Sequence, residues 1–301
     1  MYFRCKVRLS VKFSGKTIHY TALLSGLCFM CFAAIFVKVS KAPGIVTAFY
    51  RMAIGTTILV VPFLLSLRNS GFKLPGKGVL FAVLGGIFFG CDMSLWSTGV
   101  VLSNATIPTL TANLAPLWVG FGSVLFFRKK LKAGFWIGLV IAIGGMLLLM
   151  HRDLSDNMTI RTGALLGLGA GMFYGMFYLV SERGRRLLNT IQFLFLFTIT
   201  SALVLLLFSL LFGYKLSGYD RNTYLVFLGI GVIVQVCGWF LISYSQGYLP
   251  ATTVAPILLG QPVLTFFLAT LILKERLSAL HIIGGIIVVA GIYFVHYSRN
   301  K

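Results

Sequence analysis

Apolar positions in this chain neither alternate nor recur against a polar face. They run on for about twenty residues at a time, the length an α-helix needs to cross a bilayer. Bounding these runs by Gly, Pro or charge predicts ten helices, at 19–38, 45–67, 78–101, 105–127, 134–150, 162–180, 190–212, 222–247, 251–273 and 279–297. The connectors are short, so no soluble domain is inserted. The longest break, from His151 to Arg161, separates the fifth run from the sixth. The predicted organisation is a basic segment over 1–18, one five-helix unit over 19–150 and a second over 162–297, an all-α polytopic membrane protein.

Composition agrees with that pattern. Of 301 residues, 58% are hydrophobic and 11% charged, against about 25% charged in soluble domains, which excludes an ordinary soluble enzyme. The net charge of +20 would suggest nucleic-acid binding in a soluble protein, but here the bases are scattered among connectors. No domain large enough to grip a duplex is left outside the membrane. Counting alternate connectors gives about 17 Lys and Arg on the side of the termini and about eight on the other, so the positive-inside rule places both termini in the cytoplasm. The bases Arg4, Lys6, Arg8, Lys12 and Lys16 are positioned to meet anionic lipid headgroups. The first run is followed by many others and reads as a retained span. Five cysteines, with Cys28, Cys31, Cys91 and Cys237 inside apolar runs, imply no disulfide framework and no metal centre. No phosphate-binding G-x-x-x-x-G-K-[ST] loop occurs, which excludes direct ATP drive within this chain.

The two units are related. Ala105-Thr106, Pro116, Arg128-Lys129-Lys130-Leu131, Gly138 and Gly145 return 146 residues later as Ala251-Thr252, Pro262, Lys274-Glu275-Arg276-Leu277, Gly284 and Gly291. Less closely, Ala22-Leu23-Leu24 with Phe32 and Phe36 matches Ala164-Leu165-Leu166 with Tyr174 and Tyr178. Five is odd, so the second unit enters the membrane from the opposite side, and the pair forms an inverted repeat. The charged turn follows the inversion, being strongly basic at 128–132 and mixed at 274–276.

These residues resemble the EamA type of the ten-helix drug/metabolite transporter superfamily. The carriers of the resemblance are the doubled unit, Ala48-Phe49-Tyr50-Arg51 in the second run, and Pro262 followed by Lys274-Glu275-Arg276-Leu277 before Gly284. Lys129 departs from the pattern by standing where such units often carry Glu. The resemblance implies a central pathway surrounded by helices one to four and six to nine, with the fifth and tenth peripheral.

Asp92, in the third run, is the acid placed within the hydrocarbon. A carboxylate there is expensive, so it faces the bundle interior or water. It is read as a solute or cation contact, a proton-titrating group, or a structural partner of a base or hydroxyl. Arg51 counts to a similar depth from the outer side, which makes an ion pair with Asp92 one arrangement open to it, and its role is read as structural or gating in preference to direct solute binding. Trp96, Asn113, Tyr174, Tyr178, Trp239 and Gln246 are the further candidates for a solute-binding cavity, aromatic and mildly polar. Pro116 and Pro262 are candidate hinges, and Glu275 joins them as a gating or structural residue. Gly163, Gly167, Gly171 and Gly175 recur every four residues, for packing inside the chain or between two copies. The function expected is a secondary transporter, an exporter of amino acids or related metabolites in a bacterial inner membrane, monomeric or homodimeric. Its partners are a small solute and membrane lipids, without cofactor. A membrane-embedded enzyme and a non-transporting scaffold remain the alternatives.

Overall fold

In the computed structural model, residues 15–71, 73–103, 106–149, 158–261, 263–264, 268 and 279–300 are described. Pro262, Glu275 and the bases before residue 15 lie outside them. Every regular element among the described residues is helical: α1 Gly15–Met30, α2 Phe32–Val39, α3 Gly44–Asn69, α4 Gly76–Leu102, α5 Thr106–Ala112, α6 Ala115–Leu125, α7 Ala133–Leu149, α8 Met158–Leu187 and α9 Thr190–Leu211. They are followed by α10 Arg221–Gly229, a π-helical stretch Ile230–Gly238, α11 Trp239–Gln246, α12 Ala251–Leu258 and α13 Ala279–Asn300. Spans such as Gly44–Asn69, Gly76–Leu102, Arg161–Leu187, Thr190–Leu211 and Arg221–Gln246 are long and apolar enough to cross a membrane. The outward faces carry Val61, Leu65, Val140, Leu165, Leu203, Leu211 and Ile286, all exposed. Such a surface is stable against lipid tails and not against water. The chain is a polytopic membrane protein.

Two predicted runs are interrupted and a third is widened, each for a local reason. In the first, the Cys31 thiol donates to the Leu27 carbonyl at 3.1 Å and approaches the Gln261 carbonyl at 3.7 Å, a side-chain bond that competes with the helix ladder. The fourth breaks at Asn113 and Leu114. Pro116, in the first turn of α6, has no N–H to extend α5, and the Asn113 amide turns back to the Thr109 carbonyl at 2.8 Å. The eighth is continuous but widens to π geometry over Ile230–Gly238, which carries Gln235 inward.

One core fills the main bundle, from Leu23 and Met52 through Phe89, Phe177 and Phe197 to Trp239 and Val254. A second, smaller one lies between α7 and α13, around Phe135, Leu139, Ala142, Val288 and Val295. There the helices cross backbone to backbone. A methyl group on Gly138 would come within 2.8 Å of the Gly291 carbonyl oxygen, and one on Gly145 within 2.7 Å of the Gly284 carbonyl oxygen. Each glycine thus meets the repeat counterpart of the other. On α8, Gly163, Gly167, Gly171 and Gly175 face Ser103, Pro108, Thr111, Ala112 and Trp118, so this stripe serves packing within the chain.

Candidate functional site

α4 carries Asp92 to the middle of the bundle, where it is 1% exposed. The carboxylate borders a cavity of about 50 Å³ lined by Met30, Arg51, Asp92, Trp96, Asn113 and Tyr174, among others. That is the volume of one or two water molecules. Oδ2 of Asp92 is buried and has no hydrogen-bond partner among the described residues, a condition costing about 1–3 kcal/mol for a neutral polar group and more for a charged one. An acid kept in that state on a cavity wall faces whatever the cavity takes in.

Arg51, 2% exposed, reaches the same cavity from α3. Its Nε donates to Oε1 of Gln235 at 3.1 Å, and the Gln235 amide passes the bond on to Oγ1 of Thr198 at 3.0 Å. Among the described residues, the other guanidinium nitrogens meet only sulfur, Met93 at 3.6 Å and Met30 at 4.0 Å, a weak acceptor. The Phe89 ring lies 5.9 Å below. Among the described residues no ion pair within 4.0 Å joins Arg51 to Asp92; the guanidinium is held instead by the π segment's amide. The site therefore brings a guanidinium and a carboxyl group to one small space.

The wall is aromatic. Trp96 donates through Nε1 to Oγ1 of Thr109 at 3.0 Å, which ties its ring from α4 to α5, about one turn before the break. Tyr174 packs on Tyr178 at 4.5 Å between ring centroids and on Trp239 at 6.3 Å. Trp239 in turn stands edge-on to Phe89 at 4.8 Å and Phe177 at 5.2 Å. Asp92, Trp96, Asn113 and Tyr174 thus come together with Arg51 on the cavity. Tyr178 and Trp239 form the layer behind it, and Gln246 lies farther along α11, buried. Pro116 is buried at the start of α6.

A second polar centre, at the end of α8, was not singled out from sequence. Glu182 is 6% exposed and accepts from Nζ of Lys129 at 2.8 Å and from Arg186 at 3.0 Å through Oε1. Its Oε2 accepts from the Ala251 backbone N–H at 2.9 Å. Ala251 opens α12 behind Pro250, which offers no side-chain cap, so the carboxylate from α8 caps α12 and complements its dipole. One turn on, Arg185 donates to the Ser243 carbonyl at 2.6 Å and to Thr190 at 2.8 Å, and Arg183 lies 4.0 Å over the Phe127 ring. Lys129, the departure from the family pattern, is thereby explained: a Glu there would face Glu182. Its sequence signal was an acid amid the bases of Ser181-Glu182-Arg183-Gly184-Arg185-Arg186, passed over as part of a basic connector. Among the described residues, no three of His, Cys, Asp and Glu stand close enough to share a metal ion.

Comparison with known proteins bears on what such a bundle does. The EamA-like transporter family matches residues 17–151 and, a second time, residues 161–297. The uncharacterized transporter YdfC of Bacillus subtilis (strain 168) is 23% identical over 84% of this chain and 82% of its own. An uncharacterized transporter of Archaeoglobus fulgidus is 24% identical over 90% of this chain and 95% of its own. A solved crystal structure 15% identical in sequence superposes on 95% of this chain and 99% of its own with a TM-score of 0.78, a likeness of fold.

Proposed function

Because the chain belongs to the EamA-like transporter family, and is a membrane transporter by that membership, we propose that it is a secondary carrier of small organic solutes bearing both charges, amino acids and related metabolites, which it exports. The observation that carries this reading is the pair of buried, unjoined opposite charges on one cavity. The Asp92 carboxylate receives the solute's ammonium group and the Arg51 guanidinium its carboxylate, while Trp96 and Tyr174 pack on the apolar part and the Asn113 amide is at hand for a hydrogen bond. Tyr178, Trp239 and Gln246 complete the path beyond it. A volume of about 50 Å³ holds no amino acid, so solute entry parts the walls at the break between α5 and α6, where Pro116 is the hinge, with Pro262 its repeat counterpart.

Alternating access follows from ten spans arranged as two inverted five-helix units. The crossing of α7 with α13, in which Gly138 and Gly145 meet Gly291 and Gly284, supports such an inverted pair. The basic connectors favour termini in the cytoplasm of a bacterial inner membrane, and Glu275, which stands in the repeat at the position of Lys129, is the gating or structural residue of the outer turn. The protein works as a monomer or homodimer in lipid, without cofactor, and carries its solute unchanged.

The test is flux of labelled amino acids, nucleosides and organic cations into proteoliposomes, with and without a proton gradient. Saturable, protein-dependent flux of amino acids above the other classes is expected. Amino-acid flux no higher than in empty liposomes overturns the reading, and a preference for cations reassigns the site to Asp92 alone.

A further inference from the structure

Four buried polar side chains, on helices that pack against one another beside Glu182, find no hydrogen-bond partner among the described residues. Ser181 of α8, Gln246 of α11, Thr253 of α12 and Ser123 of α6 are each no more than 3% exposed. The Ser181, Ser123 and Thr253 hydroxyls, and both the nitrogen and the oxygen of the Gln246 amide, have no hydrogen-bond partner. The four helices belong to one cluster: α8 packs against α6, α11 and α12, and α12 packs against α6 and α11. Ser181 follows Tyr174 and Tyr178 at helical spacing on α8, about 10 Å along the axis from the cavity. It also directly precedes Glu182.

Buried polar atoms are normally paired, and each exception calls for a reason. A hydroxyl in a helix bonds readily to a carbonyl one turn back, as Ser201 and Ser209 do here at 2.8 Å, so four helices leaving such groups idle on one another is not ordinary packing. The groups gain partners once the helices separate and water or a polar solute lies between them. Glu182 stands where it prevents that separation. It joins α8 to the connector after α6 through Lys129 and to the first turn of α12 through the Ala251 N–H, and these are two of the helices that carry the idle groups.

We propose that Ser123, Ser181, Gln246 and Thr253 line the half of the solute path leading from the cavity toward the Lys129 connector, closed in this conformation, and that Glu182 is the latch holding it closed. This rests on the carrier reading. In the open state the four side chains receive the polar groups of the solute and its water, and Glu182 exchanges the Ala251 N–H and Lys129 for solvent. Glu182 is a positioning residue and touches no solute.

Thiol accessibility tests this without any solute, so a mistaken substrate class leaves the test intact. In a chain with its five native cysteines replaced, Ser181→Cys and Thr253→Cys are reacted with a small water-soluble methanethiosulfonate in nanodiscs, alone and combined with Glu182→Gln. Both thiols are expected to react at least about tenfold faster when the latch is removed, and Leu205→Cys, buried on α9, which carries none of the four, to be unchanged. Equal rates with and without Glu182→Gln overturn the proposal, as does equal acceleration at Leu205→Cys, which would mean general loosening. If Glu182→Gln does not fold, Lys129→Gln removes one arm only and is expected to give a smaller acceleration in the same direction; no acceleration there overturns it as well. Accelerated labelling in a protein that moves no amino acid would sustain the latch and sink the carrier reading.

Discussion

Asp92 and Glu182 are both buried acids in a membrane protein, yet their surroundings are opposite. Glu182 has two cations and a helix N–H within 3.0 Å. Asp92 has a carboxylate oxygen with no partner, although a buried guanidinium borders the same cavity. A compensated charge fixes the arrangement of the segments that compensate it. An uncompensated one is retained only if something outside the chain completes it, since replacing it by an apolar group relieves the burial cost. Partner count, and not burial or charge, therefore separates the two acids.

The largest effect that can break this contrast is on flux. Asp92→Asn keeps the shape and removes the charge, and is expected to reduce amino-acid flux more than about tenfold, or ~1.4 kcal/mol, with the melting temperature in detergent unchanged or raised. A lowered melting temperature with normal flux would make Asp92 a structural partner instead. Next, Gln235→Leu deprives Arg51 of its only strong acceptor among the described contacts, converting a compensated charge into an uncompensated one. It is expected to destabilise the fold by about 1–3 kcal/mol, read by thermal unfolding. Smaller again, Lys129→Glu sets an acid against Glu182. Because Lys129 is partly exposed, solvent limits the loss to about 1 kcal/mol, read by thermal unfolding.

The smallest effect is a pH dependence at the opposite end. Asp220 caps α10, accepting from the side chain and backbone N–H of Thr223, and these bonds hold its carboxyl below the usual range. A depressed folded pKa contributes stability above the unfolded value and loses it as pH falls through the folded one. Wild type should therefore lose slightly more stability on acidification than Asp220→Asn, and identical pH profiles would remove the cap from the account.

The sequence shows these regions unequally, for physical reasons. Membrane spans are legible because lipid demands long apolar runs, and the unit boundary at 151–161 because a doubled chain repeats its Pro and Gly in register. The break at Asn113 is announced by Pro116, whereas the one at Cys31 is silent, because it comes from a thiol bonding back to a carbonyl. The π stretch that delivers Gln235 to Arg51 has no marker either. Asp92 stands out as an isolated acid in an apolar helix. Glu182 does not, since its partners come from connectors 53 residues before it and 69 after it, and locally it is one acid among several bases. The possible pairing of Arg51 with Asp92 was read from equal depth; depth brings both to the cavity but does not fix which acceptor the guanidinium takes.

The crossing of α7 with α13 also has a consequence for biogenesis. α7 ends at Leu149 and its partner starts at Ala279, so at 5–20 residues per second the ribosome needs roughly 7–26 s to supply the second helix after the first has been made. Throughout that interval the Gly138 and Gly145 face of α7 is bare to lipid, tolerated because a helix satisfies its own backbone there. A nascent chain stopped short of Ala279 would keep that face open to lipid.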